Sequence, residues 1–281
     1  MDFQLWRRKE KSLELLNFQA AHCRFNLDLF DLNRKWEATV KHKVGTNCAQ
    51  CGISEKFCEF KQGKGPPWYP TKNEGRFLKG CLTEYDNPSV REFARMASVQ
   101  EGSCYTERDA HPFVLRPTKT RLEELIEFSR RMRYQKLGIA FCAGLASEAL
   151  LLSRILEGHG FEIVGTACKV GGVPKERIGV KEKEKVRIGQ FETMCNPIAQ
   201  AKFLNRAKTD FNILLGLCIG HDSLFLKYVR GLTTVFAVKD RVTGHNPLAA
   251  LYTSGTYYER LLKRDRRQLL KKRKATPKGR K

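Results

Sequence analysis

The stretch KLGIAFCAGLASEALLLSRILEGHGFEIVGTAC, residues 136–168, decides which fold this chain is expected to adopt. It opens with a short apolar run and continues into a segment with helical spacing that ends at Gly158 and Gly160. A second apolar run of strand length follows directly. A strand, a helix and a second strand in this order are typical of a parallel sheet with helices packed on its faces.

The same alternation continues on both sides of this stretch. Helical patterns and apolar runs follow one another at 120–132, 196–207, 211–218, 233–239 and 246–254. Two of the helices begin with the same dipeptide, Asn196-Pro197 and Asn246-Pro247, in which asparagine is a good N-cap and proline a good first residue. The sequence therefore predicts an α/β three-layer sandwich with a mostly parallel, doubly wound sheet. No strand is followed by Gly-x-Gly-x-x-Gly, so the dinucleotide-binding fingerprint is absent.

Composition places the chain among globular proteins. Of its 281 residues, 41% are hydrophobic and 29% are charged, which excludes collagen-like and disordered chains. The longest apolar stretch is interrupted by charges and the N-terminus lacks the layout of a signal peptide, so we expect a cytoplasmic protein without a membrane partner. Much of the net charge of +22 lies between Glu259 and Lys281, where twelve Lys and Arg residues accompany two acidic ones.

These patterns divide the chain into four segments. They are a helical extension at 1–43, a cysteine-rich irregular module at 44–117, the α/β domain at 118–262 and a basic tail at 263–281. Within the cysteine-rich module, Pro66, Pro67 and Pro70 predict a loop at GKGPPWYP. An irregular segment of this length can stay folded when a metal ion supports it.

The cysteine-rich module contains a set of four cysteines with metal-ligand spacing. The set is Cys48, Cys51, Cys58 and Cys81. A Cys-x-x-Cys-Gly turn brings two thiolates together, and two more from the following loop complete a Cys₄ site for zinc or an iron–sulfur cluster. Cys104 is an alternative fourth ligand, and a surface turn of free thiols is the alternative interpretation.

A second set of cysteines is defined by its position in the predicted fold. Cys142, Cys168 and Cys218 each end a predicted strand, and Cys195 directly precedes the Asn-Pro start of a helix. Because the carboxyl ends of parallel strands share one sheet edge, we expect these thiols to converge there with two histidines. The histidines are His221 and His245. The alternative is that the cysteines are ordinary small core residues.

The second set permits two kinds of chemistry. Thiolates from scattered elements favour an iron–sulfur cluster or a reactive-thiol centre over structural zinc. In the reactive-thiol hypothesis, Cys142 or Cys218 is the nucleophile and His221 is the acid/base. A small anionic ligand is also expected at the strand ends, where Lys239 or Arg241 can bind it.

Five long motifs carry a resemblance to a known family. They are GIAFCAGL at 138–145, CKVGGVPKE at 168–176, MCNPIAQA at 194–201, LNRAKTDFNILLGLCIGHDSLF at 204–225 and VKDRVTGHNPLAALYTS at 238–254. With them, residues 121–261 resemble an uncharacterised bacterial and archaeal family of predicted metal-binding proteins, domain of unknown function 1847. The Cys48–Cys51 pair and Cys81-Leu-Thr-Glu are similar to the N-terminal cysteine module of that family. The resemblance implies a bound metal.

The sequence thus predicts a metal-binding protein with an N-terminal Cys₄ site and a second cysteine and histidine cluster, used in redox chemistry, metal handling or sulfur chemistry. One alternative is the thiol-dependent enzyme described above. The other is a nucleic-acid-associated protein that uses a zinc module and the basic tail, although no aromatic residue or Gly-rich repeat accompanies the charge of that tail.

Overall fold

The structure is a computed structural model that describes residues 48–66, 69–112 and 114–263. The predicted helical extension at 1–43 and nearly all of the predicted basic tail lie outside the described residues. The described residues form two compact units, with the division between Glu92 and Phe93. No helix in the described ranges is long and apolar enough to span a bilayer.

The first unit contains short helices where the sequence predicts an irregular segment. Its helices are α1 (Pro70–Asn73), α2 (Gly75–Leu82) and the start of α3 (Pro88–Ser103), with 3₁₀ turns at Cys48–Gln50 and Thr83–Asp86. Pro70 begins a helix instead of preventing one. The N–H of the first helical residue has no partner within the helix, so the missing N–H of proline costs nothing at that position. Tyr69 is the anchor of this unit: it is 1% exposed and packs beside the Phe57 ring.

The second unit is an α/β domain. Its strands are β1 (Tyr105–Thr106), β2 (Arg116–Pro117), β3 (Lys136–Phe141), β4 (Glu162–Ala167), β5 (Phe211–Leu215) and β6 (Thr233–Ala237). Its helices, after the end of α3, are α4 (Arg121–Arg131), α5 (Ala146–Gly158), α6 (Pro197–Ala207), α7 (His221–Tyr228) and α8 (Leu248–Tyr252). Within the described residues, β3 to β6 form one parallel sheet in the order β4-β3-β5-β6, and β1 pairs with β2 separately. The predicted fold class is confirmed.

Both faces of the sheet are covered by apolar side chains from helices. Alternate residues of β3 point to opposite faces, so Ile139 joins one buried cluster with Leu152 of α5, while Ala140 joins the other with Leu204 of α6. Phe225 of α7 is fully buried in the second cluster. Helices on two faces of a parallel sheet make the three layers that the apolar runs predict.

The strand order reverses direction between β3 and β5. The chain leaves β3 toward β4 on one side, and β5 and β6 lie on the other. In open parallel sheets such a reversal separates the loops at the carboxyl edge, where ligands bind.

Two details differ from the predicted elements. The third strand ends at Leu215 instead of Cys218, because Gly216 has a left-handed φ of 65° that turns the chain out of the sheet. The last helix begins at Leu248 with Pro247 as its N-cap, so Asn246 does not cap it as its twin Asn196 caps α6.

Candidate functional site

Two predicted strand-end cysteines lie side by side at the carboxyl edge of the sheet. Cys142 directly follows β3 and Cys168 directly follows β4, and the residues before them, Phe141 and Ala167, are register partners. The Cys168 N–H donates to the Phe141 carbonyl at 2.9 Å, which extends the pairing to the cysteines themselves. The two thiols are close enough for each to shift the pKa of the other.

Cys195 completes a group of three thiols that we call the thiol cluster: Cys142, Cys168 and Cys195. The sulfurs of Cys168 and Cys195 are 3.8 Å apart. The next residue, Asn196, donates its N–H to the Cys168 carbonyl at 2.7 Å, and its side-chain Oδ1 accepts the N–H of Ala199 at the start of α6. The cap of α6 therefore fixes Cys195 against the end of β4.

Contacts within the thiol cluster shift the pKa values of its three thiols in different directions. Cys168 is 2% exposed and keeps its proton, because its contacts with Cys142 and Cys195, followed by burial, raise its pKa well above the usual range. The contact with Cys168 lowers the pKa of Cys142 to about 5, although burial opposes the change. The same contact lowers the pKa of Cys195 to about 6, with smaller help from His221 and Lys169. Cys142 and Cys195 therefore favour the thiolate form, whereas Cys168 favours the protonated thiol.

Backbone amides before α5 support these charges. The Ala143 N–H donates to the Cys168 sulfur at 3.3 Å, and the Gly144 amide donates to the Cys142 sulfur. Lys239, which follows β6, adds a cationic hydrogen bond to Cys142. Amides at a helix start and a nearby ammonium are the surroundings in which a cysteine becomes a reactive thiolate.

Cys218 has a different partner from the three cysteines of the thiol cluster. Beyond the turn at Gly216, its sulfur accepts a hydrogen bond from the Arg241 guanidinium at 3.1 Å. A Cβ at Gly216 would lie 1.9 Å from a Leu145 methyl carbon, so a side chain there requires Leu145 to move. The structure thus brings Cys142 beside Cys168 at the sheet edge, and it places Cys218 against the Arg241 guanidinium.

The two predicted histidines have different surroundings. His221 is the first residue of α7, and its Nδ1 is buried without a hydrogen-bond partner in the described part of the chain. His245 has a left-handed φ of 68°, and its Nδ1 accepts the Asp240 N–H at 3.1 Å. The carboxylate of Asp240 accepts the N–H groups of Val242 and Thr243, so it stabilises this turn. His245 is thus a turn residue, while His221 has an unused nitrogen near Cys195.

The N-terminal cysteines are partly assembled within the first unit. The Cys51 N–H donates to the Cys48 carbonyl at 3.1 Å, which forms the predicted turn. The Tyr69 hydroxyl donates to the Cys58 sulfur at 2.7 Å. This hydrogen bond raises the pKa of Tyr69, and the charge of Cys51 adds a smaller increase. Cys81 is exposed on α2.

The structure does not present a ready ligand set at either group of cysteines. Across the described ranges, no three or more His, Cys, Asp or Glu side chains are arranged to hold one metal ion. The donors are chemically suited to a thiophilic metal, yet as they stand they do not enclose a common point. Cys104, the alternative ligand, is buried in the second unit and donates its thiol to the Gln100 carbonyl at 3.1 Å.

Sequence reasoning missed the partners that decide what each thiol does. The amides of Ala143 and Gly144 and the hydroxyl of Tyr69 have no signature in sequence, since they reach the sulfurs through turns and long-range packing. The Lys239 and Arg241 cations were predicted at the strand ends, and both contact cysteines.

Comparison with known proteins identifies relatives of this site. A family model described as Protein of unknown function (DUF1847) matches residues 69–236, more than half of the chain and a range that includes the thiol cluster, Cys218 and His221. An uncharacterized protein of Methanocaldococcus jannaschii is 45% identical over 186 residues, which cover 66% of this chain and 91% of the relative. No solved structure matches the chain. The resemblance stated from the motifs is confirmed.

Proposed function

We propose that this chain, which belongs to the family Protein of unknown function (DUF1847), uses the Cys142 thiolate to attack sulfur in a thiol-dependent reaction. The observation that carries this proposal is the contact of three thiols at the ligand-binding edge of the sheet, in which a protonated Cys168 holds Cys142 as a thiolate. Thiolates, not thiols, are the nucleophiles in such reactions.

The neighbouring thiol gives the nucleophile a partner for a second step. In the first step the Cys142 sulfur attacks one sulfur of a substrate disulfide, forms a mixed disulfide and releases the other sulfur as a thiolate. Cys168 passes its proton to the thiolate released in the first step and becomes a thiolate itself. It then attacks the Cys142 sulfur, expels the second half of the substrate as a thiolate and forms an intramolecular disulfide. Parallel register places the two residues on adjacent strands at about 4.8 Å, within the Cα separation that disulfides use.

His221 supports Cys195, the third thiol. Its imidazole favours the charged form of the Cys195 sulfur and retains an unsatisfied Nδ1. Of the two predicted histidines, it is the better placed to exchange a proton with the thiol cluster. Its charge is among the main influences on the pKa of Cys195, but not among those on the pKa of Cys142.

The test measures how the alkylation rate of each cysteine depends on pH. The reduced protein is treated with iodoacetamide, and peptide mass spectrometry reports the extent of alkylation at each cysteine. Cys142 should react at a nearly constant rate from about pH 9 down to about pH 6, because its pKa is lowered to about 5. Buried Cys104, whose pKa burial raises, is the matched control and should react slowly throughout. A Cys142 rate that falls tenfold per pH unit below pH 9 contradicts the proposal.

A second candidate function is the binding of a thiophilic metal ion or an iron–sulfur cluster by the thiol cluster. It is favoured by the buried, unpartnered Nδ1 of His221 near Cys195, since three thiols and a histidine make up a Cys₃His ligand set that zinc accepts. The side chains would have to close on a common point to bind it.

Anaerobic purification followed by metal analysis and an absorption spectrum distinguishes the two functions. A stoichiometric metal that is lost in Cys168→Ser, but retained in Cys104→Ser, supports metal binding. Metal-free protein with a fast-reacting Cys142 supports the thiol reaction.

A further inference from the structure

Three cationic residues lie in the loops at the carboxyl edge of the sheet. Lys239 and Arg241 follow β6, and Lys169 follows Cys168 at the end of β4. The Lys239 ammonium reaches Cys142, and the Arg241 guanidinium is fixed by its bond of 3.1 Å to the Cys218 sulfur. The charges of Cys142 and Cys195 both act on Arg241, so this guanidinium lies within electrostatic reach of the whole thiol cluster.

The acidic residues nearby are occupied by backbone amides. The Asp240 carboxylate accepts the N–H groups of Val242 and Thr243, and the Asp222 carboxylate accepts the N–H of Ser223. Among the described ion pairs, none includes Lys239 or Arg241. Within the described part of the chain, no carboxylate therefore neutralises either cation, and their only charged partners are cysteine sulfurs.

Glycine keeps the space between the cation and the nucleophile open. A Cβ at Gly144 would lie 3.3 Å from the Lys239 Nζ and 3.9 Å from the Cys142 sulfur. Arg241 is exposed, and a guanidinium that uses one N–H on Cys218 retains four donors for another acceptor. The edge thus offers a nucleophilic sulfur with two cations beside it, which suits a substrate that is an anion or releases one.

We propose that the substrate of the Cys142 thiolate is a small anion that carries a sulfane sulfur, held by Lys239 and Arg241; this inference rests on the proposed function. The Cys142 sulfur attacks the sulfane sulfur and forms a new S–S bond. The bond between the sulfane sulfur and the rest of the anion breaks, and its electron pair leaves with the departing oxyanion. Cys142 becomes a persulfide, and the step needs neither an oxidant nor a proton.

The cations explain why this substrate is preferred over a neutral disulfide. Two anions, a thiolate and an oxyanion, repel each other unless fixed positive charge lies between them. Lys239 and Arg241 supply that charge in the approach and stabilise the departing oxyanion as it takes up the electron pair.

Thiosulfate is the probe for the complete step. Incubation of the reduced protein should release sulfite in a single turnover and add one sulfur atom to the Cys142 peptide, as seen by mass spectrometry. Arg241→Gln and Lys239→Gln should each lower the rate at subsaturating thiosulfate by about three- to tenfold or more. The matched control is Lys136→Gln, which removes a lysine paired with Glu162 at the opposite end of β3 and should leave the rate unchanged.

A pair of alkylating reagents separates this inference from the proposed function. Neutral iodoacetamide reports the thiolate alone, whereas anionic iodoacetate also reports the cations. Arg241→Gln should lower the ratio of the iodoacetate rate to the iodoacetamide rate several-fold, and high salt should do the same in the parent. Fast iodoacetamide reaction with no sulfur transfer and an unchanged ratio overturns the substrate class and leaves the thiol function standing. Slow reaction with both reagents overturns the proposed function itself.

Discussion

At the scale of single residues, the neighbours of a cysteine determine its chemistry more than its place in the strand pattern. Cys142 and Cys218 both follow apolar runs that look alike in sequence. Cys142 meets a buried thiol, an amide and an ammonium, whereas Cys218 is carried past the strand end to a guanidinium. Cys104 is buried with a carbonyl acceptor, and burial raises its pKa. A lowered thiol pKa therefore requires a specific donor set, not burial.

The lowered pKa of Cys142 predicts a pH-dependent stability. Between about pH 5 and about pH 9 the unfolded chain carries the Cys142 proton and the folded chain does not, so the free energy of unfolding should rise with pH in this window. The raised pKa of Cys168 acts only above the usual thiol range. Urea midpoints at pH 5.5 and pH 8.5 should differ more in the parent than in Cys142→Ser. Cys104→Ser should keep the parental difference, and an equal difference in all three proteins contradicts the assignment.

A second residue-scale prediction concerns the turn that separates Cys218 from the other thiols. Gly216→Ala introduces a Cβ at a φ of 65° and within 1.9 Å of a Leu145 carbon, and it should destabilise the fold by about 2–4 kcal/mol. Gly244→Ala is the matched control, since its φ is 61° but no atom lies within 4 Å of the new Cβ. Its cost should stay near 1 kcal/mol. Equal urea midpoints for the two variants contradict the steric argument.

At the scale of elements, identical dipeptides produce different helix starts. Asn196-Pro197 caps α6, whereas at Asn246-Pro247 the helix begins one residue later, with Pro247 in the cap position. The left-handed backbone of His245 and the Asp240 turn direct the second copy away from the capping geometry. Local sequence therefore sets a preference that the preceding loop can override.

The two asparagines make a controlled mutational pair. Asn196→Ala removes the bond from the Ala199 N–H and should cost about 1 kcal/mol of unfolding free energy. Asn246→Ala removes no cap bond and should change stability by less than about 0.5 kcal/mol. Because the Asn196 cap holds Cys195 in place, Asn196→Ala should also speed alkylation of Cys195 by iodoacetamide. Equal effects of both substitutions would show that the cap bond is unimportant.

The alternating strands and helices of the α/β domain were predictable because apolar period and capping residues act locally, whereas the helices of the first unit were not. The apolar runs at 136–142, 161–168 and 233–239 each contain an observed strand, and the parallel edge that brings Cys142 beside Cys168 follows from them. What could not be predicted depends on tertiary approach. The contact of Arg241 with Cys218 and the turn at Gly216 arise from loop conformations that no periodicity describes.

At the scale of the whole molecule, the two units are stabilised in different ways. The α/β domain has two buried clusters, one on each face of its sheet. In the first unit, Tyr69 is the only large side chain that is fully buried among the described residues, and its hydroxyl is committed to the Cys58 sulfur. The described part of this unit buries little apolar surface, and a metal held by cysteines is one source of stability that small modules use.

The last prediction tests that source of stability by removing one thiol. If the predicted N-terminal metal site supports the first unit, Cys51→Ser or a strong chelator should make residues 48–92 sensitive to protease, because metal binding at such a site is folding free energy. The α/β domain should keep its thermal midpoint and its Cys142 alkylation rate, since its apolar clusters contain no residue of the first unit. Cys104→Ser, a thiol of the second unit, controls for the loss of a cysteine as such. The opposite outcome is equal protease resistance of the parent and Cys51→Ser, with no effect of the chelator. It would mean that the first unit folds without a metal, through the turn from Cys48 to Cys51 and the packing of Tyr69.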